Sequence, residues 1–439
     1  MNKMRLLAKV PFFMRVRLEH GLNTTQKIRL WQDAHMLKHL QWVLKHSSYY
    51  QNLYQGLNIH QWRSFPVTEK KAWMQCFDHV NTCGLSKEKA MQQALQQETS
   101  RDFRLKDTGV SVGLSSGTSG SRGLFLASVQ EQAHYAAAVL ARVLPKPLWQ
   151  THRVAFFLRA NNRLYQSTQS HVLAFEYFDL TLPLSLHLEK LQTLKATMLV
   201  APPSVLRHVA QWVSQGLLKH TFKKIVSVAE VLDPLDARFL ENTFQQTIHQ
   251  VYQCTEGFLA ATCEKGTLHV NEDLLVVQKE YLDEASGRFV PVISDFFRTS
   301  QPVIRYRLND VLIEKKEACA CGSARMALQH IEGRCDDVLQ LVEKHSQQKI
   351  PIFPDFIRRA VVLASDAVEG YRVEQTDYNV LRVGLDVPPA LKEVVFEQVK
   401  NNIRAFVQTQ GACDVDIQHV DYHTPYGPAK MRRVLKTVL

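Results

Sequence analysis

No run of eighteen apolar residues free of charge occurs in the 439-residue chain, so a membrane-spanning helix is not expected. The nearest approach, HVLAFEYFDLTLPLSLHL, carries Glu176 and Asp179. A secretion signal is not expected either. The opening MNKMRLLAKVPFFMRVRLEH starts basic, but Lys9 and Arg15 interrupt its apolar run and no clear small-residue cleavage site follows. The expectation is a cytoplasmic protein, with an amphipathic surface helix as the other use of that segment. Internal repeats and low-complexity tracts are absent, and Gly 18 with Pro 16 excludes fibrous and disordered classes. Lys+Arg 53 against Asp+Glu 42 leaves +11, yet no concentrated basic stripe exists, only scattered pairs such as Lys223 with Lys224 and Arg358 with Arg359. Without a recognition helix or a basic-aromatic platform, nucleic acid is the weakest of the anionic partners that such a charge admits. Eight cysteines in a chain of this length, several of them clustered late, read as thiols or metal ligands in a reducing compartment, not as a disulfide framework.

What is present is enough apolar residue, 45%, to bury more than one core, and the length calls for at least two domains. Over 24–54, Ile28, Leu30, Trp31, Met36, Leu40, Val43 and Leu44 recur at helical spacing and predict one long helix with a basic outer face. Thr68 and Ser86 read as caps of further helices. After Arg101 short apolar runs (VSVGL, LFLAS, RVAFFLR, ATMLV, KKIVSV) alternate with helical stretches, the pattern of an α/β body with a largely parallel sheet. From 266 to 314 strands dominate, and the tail after about Leu339 has a small α+β pattern of its own. The expected organisation is a helical region over 1–100, a main domain over 101–336 and a small C-terminal domain over 337–439.

Between two strand-like runs stands SSGTSGSRG, residues 115–123. A glycine-rich turn after a strand lets successive N–H groups converge on phosphate oxygens, and Ser or Thr hydroxyls add donors. The usual GK[ST] ending is missing, and Arg122 is the stretch's one cation. SSGTSGSRG resembles the phosphate loop of the adenylate-forming enzyme superfamily, usually Ser-Ser-Gly-Thr-Thr-Gly-x-Pro-Lys. Four further stretches follow in that superfamily's order: VYQCTEG (251–257) is similar to its Tyr-Gly-x-Thr-Glu element, IRYRLND (304–310) to Arg-Tyr-x-Thr-Gly-Asp, EGRCDD (332–337) to the Gly-Arg-x-Asp-Asp hinge, and GPAKMRRV (427–434) to the closing element that carries a catalytic lysine. The branch resembled is that of phenylacetate-coenzyme A ligase and its AMP-transferring, cofactor-modifying relative.

The resemblance implies an α/β fold: a large N-terminal adenylate-forming domain with a helical opening and mixed or parallel sheets, and a small mobile C-terminal α+β lid. It places Ser115, Ser116, Gly117, Thr118, Ser119, Gly120 and Arg122 around the ATP phosphates. Tyr252 would lie against adenine, Thr255 would donate to the α-phosphate, Glu256 would hold Mg²⁺, Glu230 in VAE would border the adenine and acid pockets, Asp310 would bind ribose, and Arg334 would reach the nucleotide. Lys430 would deliver its ammonium to the α-phosphate and the carboxylate in one pose of the lid. Three departures stand out: the loop has no lysine, Val228 replaces a glycine, and Asn309 replaces a glycine. The segments 156–167 and 175–180 offer aromatics for an acid pocket, or equally for the core, Phe157, Phe175 and Phe178 among them.

Cys263, His269, Cys319 and Cys321 supply three thiolates and an imidazole, the ligand types of tetrahedral zinc, and members of the resembled branch can carry a metal joining equivalent loops. The plain alternative is a buried Cys263, a cross-strand His269 and a free dithiol turn. The implied activity is ATP-dependent activation of an organic carboxylic acid, aromatic acids among the candidates, as an acyl-adenylate, followed by transfer to coenzyme A or to the phosphopantetheine of an acyl carrier protein, with a homodimer compatible. The alternatives are an AMP-transferring synthetase and a homologue that binds nucleotide without catalysis.

Overall fold

The computed structural model describes residues 10–18, 21–100, 109–115, 123–145, 150–158, 173–180, 182–423 and 432–438. The long helix expected over 24–54 is broken into Thr25–His46 and Ser48–Leu53. Ser47, at the break, has extended backbone, and its hydroxyl donates to the carbonyls of His79 and Val80 at 3.0 Å each. A buried serine with those partners stops a helix because its side chain competes for backbone groups outside it. Thr24 caps the first helix by accepting from Lys27 N, and Ile28, Met36, Leu40 and Val43 form its buried stripe. Leu30, expected on that stripe, is exposed. Thr68 is not a helix cap: its N–H donates to Arg305 O and its carbonyl accepts from Arg307 N, so it extends a sheet.

Strands β1 (Val110–Leu114) and β2 (Leu124–Ser128) form a separate antiparallel hairpin. A Cβ on Gly113 in β1 would stand 2.3 Å from the Phe125 ring, so the glycine leaves room for that ring as it lies and a larger residue would have to displace it. Among the described residues the main sheet has twelve strands. Its parallel part runs in the order β4 (Leu173–Asp179), β3 (His152–Leu158), β5 (Met198–Ala201), β6 (Lys224–Ser227), β7 (Ile248–Cys254). The fully buried runs of β5 and β6 suit strands covered on both faces, and the helices Val129–Val143 and Pro203–Ser214 supply apolar faces. Beyond β7 the sheet turns antiparallel through β8 (Gly257–Thr262) and β9 (Leu268–Val270), and continues with β10 (Leu275–Asp283), β11 (Arg288–Asp295), β12 (Val303–Arg307), β13 (Asp310–Glu314) and β14 (Ala327–Arg334). The sheet is therefore mixed, its parallel half being the one that the strand–helix alternation announces.

Chain contacts separate a second unit made of Asp233–Arg238, Asn309–Val311 and Ile331–Leu439. It contains the hairpin of β15 (Leu339–Val342) and β16 (Lys349–Ile352), and a four-stranded sheet ordered β19 (Asp416–Val420), β18 (Val380–Asp386), β17 (Gly370–Asp377), β20 (Val434–Lys436). Its core joins Val373, Leu381 and Val383 of the sheet to Ile357 and Val361 of one helix and Val395, Val399, Ile403 and Val407 of another. This is a self-contained α+β layer pair. No helix among the described residues is long and apolar enough to cross a membrane.

Candidate functional site

In the first unit, two candidate segments leave the carboxyl ends of neighbouring parallel strands. Val228–Glu230 follows β6 and Thr255–Glu256 follows β7, the edge at which open α/β sheets place their ligands. Ala229 is held at φ +68°, a left-handed conformation that costs a non-glycine residue of order 1 kcal/mol or more. The residue standing for the expected glycine, Val228, is instead an ordinary core residue. Glu230 turns its carboxylate to Ser204 N at 3.3 Å, where the helix Pro203–Ser214 begins.

The Thr255–Glu256 turn is tied down from three sides. Thr255 Oγ1 donates to Glu256 Oε2 at 2.8 Å. Arg298 donates from Nη1 to Thr255 O and from Nη2 to Leu126 O, both at 3.0 Å, so one guanidinium joins the turn to β2. Tyr306 hydrogen-bonds Glu256 through its hydroxyl, and burial first, then the Glu256 charge, hold that phenol well above its ordinary pKa, so it stays a donor. Tyr252, one face of which was expected against adenine, is buried at the end of β7. Gln253, beside it, accepts from the Tyr135 hydroxyl.

The described rim of the 115–123 loop is closed by Ser115: its N–H donates to Gly123 O at 2.8 Å and its Oγ accepts from Gly123 N at 2.7 Å. Ser116, Gly117, Thr118, Ser119, Gly120 and Arg122 lie outside the described residues, and so does Lys430.

Several residues that build this region carry no sequence signal. Glu131 accepts from Ser128 N and, 168 and 169 positions away, from Thr299 N at 2.6 Å and Ser300 N at 2.8 Å. Burial alone would raise its pKa, but Arg298 and the donors from Ser300 and Ser128 outweigh it and keep the carboxyl below its ordinary range. Asp295 is fully buried, and burial pushes its pKa up to about 6 against the pull of Phe297 N and Arg298. Its Oδ2 is 3.3 Å from where a Cβ on Gly257 would lie, so it backs the same turn. The only early hint is Glu131 at the third position after Ser128, the spacing of a capping box, which the helix indeed forms.

In the second unit, Arg334 Nε stands 4.0 Å from Asp310 Oδ1, and Asn309 Nδ2 donates to Asp336 Oδ2 at 2.5 Å. Asn309 is not in the left-handed region; in IRYRLND that conformation falls to Arg305, at φ +45°, where Ile304 and Arg305 of β12 together oppose Ser294 of β11. Both arginines of that phrase are paired, Arg305 with Gln278 at 2.9 Å and Arg307 with Glu69 and Glu280.

The aromatics divide cleanly. Phe157 and Phe178 are 0% exposed and stack at 4.5 Å, and so belong to the core. Phe156 and Phe175 are half-buried with centroids 6.5 Å apart, and of these segments they alone among the described phenylalanines retain accessible surface for a ligand.

Cys263, His269, Cys319 and Cys321 converge, with all ligand atoms within 4.8 Å of one another. Cys263 Sγ lies 3.8 Å from Cys319 Sγ, and Cys321 Sγ lies 3.3 Å from His269 Nε2. Tetrahedral zinc with bonds of about 2.0–2.3 Å needs ligand atoms roughly 3.3–3.8 Å apart, the spacing of both these pairs. His269 Nδ1 is paired to Arg325 O at 3.1 Å, which turns Nε2 toward the sulfurs as a metal-bound imidazole requires. Burial opposes ionisation of Cys319, yet donors from Thr267, Cys321 and His269 hold its thiol down at about 6. Behind the cluster, Asn271 Oδ1 accepts from Arg325 and Arg142, and Arg142 pairs with Asp273 at 2.6 Å. That ion pair is buried, so removing one partner would cost about 3–5 kcal/mol. None of the eight cysteines forms a disulfide.

No protein-family profile matches the chain, and no curated protein matches it by sequence. Solved structures do match by fold. A 2-hydroxyisobutyryl-CoA ligase in the postadenylation state, in complex with 2-HIB-AMP, is similar with a TM-score of 0.67 at 16% identity over 94% of this chain and 89% of that one. The same ligase has been solved with 2-HIB-AMP and CoA in the thioesterfication state. GH3.15 acyl acid amido synthetase is similar with a TM-score of 0.57 at 13% identity over 91% and 86%, and the amide bond synthetase McbA from Marinactinospora thermotolerans with 0.51 at 13% over 74% and 69%. The chain has the fold of the adenylate-forming enzymes.

Proposed function

We propose that this chain activates an organic carboxylic acid with ATP and passes the acyl group to an acceptor. The observation that carries the reading is the Thr255–Glu256 turn at the carboxyl edge of the parallel sheet, fixed by Arg298 and Tyr306, in a chain whose fold matches an acyl-CoA ligase over 94% of its length. In the first step a carboxylate oxygen attacks the α-phosphorus and pyrophosphate leaves with the electron pair of the broken bond. Charge on both reactants must be neutralised as they meet. Ser115, Ser116, Thr118, Ser119 and the amides near Gly117 and Gly120 hold the outer phosphates, with Arg122 beside them. Thr255 donates to the α-phosphate, Tyr252 and Glu230 border the adenine, Asp310 accepts from ribose, and Arg334 reaches the nucleotide. Lys430 neutralises the α-phosphate and the acid.

Glu256, with Thr255 Oγ1 next to it, presents the hard oxygen donors that suit Mg²⁺, which would supply charge neutralisation at the phosphates. Cys263, His269, Cys319 and Cys321 hold zinc in a closed structural set, remote in role from the chemistry. In the second step the acceptor attacks the acyl carbon and AMP leaves. Coenzyme A is the acceptor we favour, because the ligase of highest similarity above uses it; a carrier-protein pantetheine is the same chemistry. The amido synthetase and the amide bond synthetase among the structural matches make an amine the second reading. Half-buried Phe156 and Phe175 suit an aromatic acid. We place the enzyme in the cytoplasm.

The test is exchange of labelled pyrophosphate into ATP across a panel of aliphatic and aromatic acids, followed by addition of coenzyme A or amines. Thioester and AMP appearing together support the favoured reading. An amide points to the second, and a product that retains AMP points to an adenylyl transferase.

A further inference from the structure

The phosphate loop that residues 115–123 resemble ends in a lysine, and this chain has none in that position. An ammonium nevertheless stands at the described rim of the loop. A Cβ placed on Gly123 would lie 3.0 Å from Lys70 Cε, 3.5 Å from Ser115 Oγ and 3.8 Å from Lys70 Nζ. The Lys70 stem therefore passes directly over Gly123, beside the serine hydroxyl that closes the loop, through space that a side chain at 123 would take.

Lys70 is held there by its neighbours. Thr68 is bonded through both its backbone groups to β12, and Glu69 pairs with Arg307 of the same strand at 3.5 Å. Three residues beyond Lys70, buried Trp73 donates from Nε1 to the Tyr50 hydroxyl at 3.2 Å and packs its ring 4.8 Å from that of Tyr306. Tyr306 is the residue whose hydroxyl bonds Glu256. One short segment thus fixes Lys70 against the loop rim and, through β12, against the strand that steadies the Thr255–Glu256 turn.

We propose that Lys70 supplies, from a segment about fifty residues upstream, the ammonium that the loop, with Arg122 as its one cation, lacks, and that it binds the β- and γ-phosphates of a nucleoside triphosphate. This rests on the nucleotide reading above. An ammonium on a four-carbon stem acts on phosphate as a movable point charge, so its place in the sequence matters less than where its tip arrives.

Calorimetric titration of the full chain with Mg-ATP, pyrophosphate and AMP tests it. Lys70→Met weakens ATP and pyrophosphate roughly 10- to 100-fold, the range of a hydrogen bond to a charged group, and leaves AMP within about twofold. Lys70→Arg keeps most of the affinity, and Lys71→Met, on an exposed neighbour, behaves as wild type. Lys70→Gln carries the same expectation as the methionine variant and replaces it if that variant's melting curve shows misfolding. A folded Lys70→Met with unchanged ATP and pyrophosphate binding overturns the assignment and leaves the nucleotide reading standing. Equal losses for AMP and ATP overturn it in favour of a scaffolding role. A wild-type chain that binds none of the three overturns both.

Discussion

The cysteine–histidine cluster and the Thr255–Glu256 turn lie at opposite ends of one strand, β8, and are built on opposite plans. At the cluster, four ligand atoms from three chain segments face one another and leave no open position. Around the turn, the protein fixes a short dipeptide with Arg298 and Tyr306 and leaves the remaining contacts to loops and to whatever binds. The first plan would suit a structural metal site, with all four ligands drawn from the chain. The second is that of a reactive site, where the substrate contributes the missing charges and the protein's part is to hold donors in place beforehand.

The sharpest way to break this contrast is to remove a group assigned to one side and look for effects on the other. Lys430→Ala should lower pyrophosphate exchange about 100- to 1000-fold, as loss of one preorganised charge-stabilising group does, with metal content and melting temperature unchanged. Cys319→Ala should do the reverse. Loss of the bound metal should cost about 2–4 kcal/mol, read as a fall in melting temperature, while the KM for ATP stays within about twofold. Metal analysis together with a melting curve checks this, and an unchanged melting temperature in the metal-free variant would remove the structural role.

Asp295 sharpens the comparison from inside the reactive end. Its folded pKa of about 6 lies above the ordinary carboxylate value, so the folded chain holds this proton longer than the unfolded chain does. Its contribution to stability is therefore present in full at low pH and falls as pH rises from about 4 to about 6, after which it is flat. Asp295→Asn removes that slope and should stabilise by up to about 3 kcal/mol at neutral pH, from roughly two pKa units at 1.4 kcal/mol each. Denaturant midpoints for both proteins at pH 4, 5, 6 and 7 decide it. The smallest effect is expected at Gln253, which stands where the resembled motif has glycine. Gln253→Gly should move the KM for the acid by about three- to tenfold, near 1 kcal/mol, and leave the KM for ATP alone. Equal shifts in both would place Gln253 outside the acid pocket.

What was readable in the sequence divides along the same line. The cluster was legible because cysteine is scarce, eight in the chain, so that three of them with a histidine between stand out as zinc ligand types, and the structure brings all four together. The α/β alternation was legible because fully buried parallel strands and amphipathic helices leave different periods. The break at Ser47 was not, because it depends on carbonyls of His79 and Val80 more than thirty residues away. Thr68 looked like a cap because its own neighbourhood resembles a helix start, whereas its partners belong to β12. Phe157 and Phe178 could not be told from pocket residues until the sheet showed which face each occupies. Glu131, Arg298, Asp295 and Lys70 gave least warning. Single charged residues are common, and only long-range folding selects the ones that matter.

The most direct measurement follows heavy oxygen from the acid. When an active acid labelled in its carboxylate is turned over with ATP and the acceptor, the account predicts that one labelled oxygen appears in AMP, because the carboxylate oxygen that attacks the α-phosphorus stays with it when the acyl group leaves. AMP free of label, with both labelled oxygens kept by the acid or its product or one of them released in a phosphate other than AMP, would contradict it.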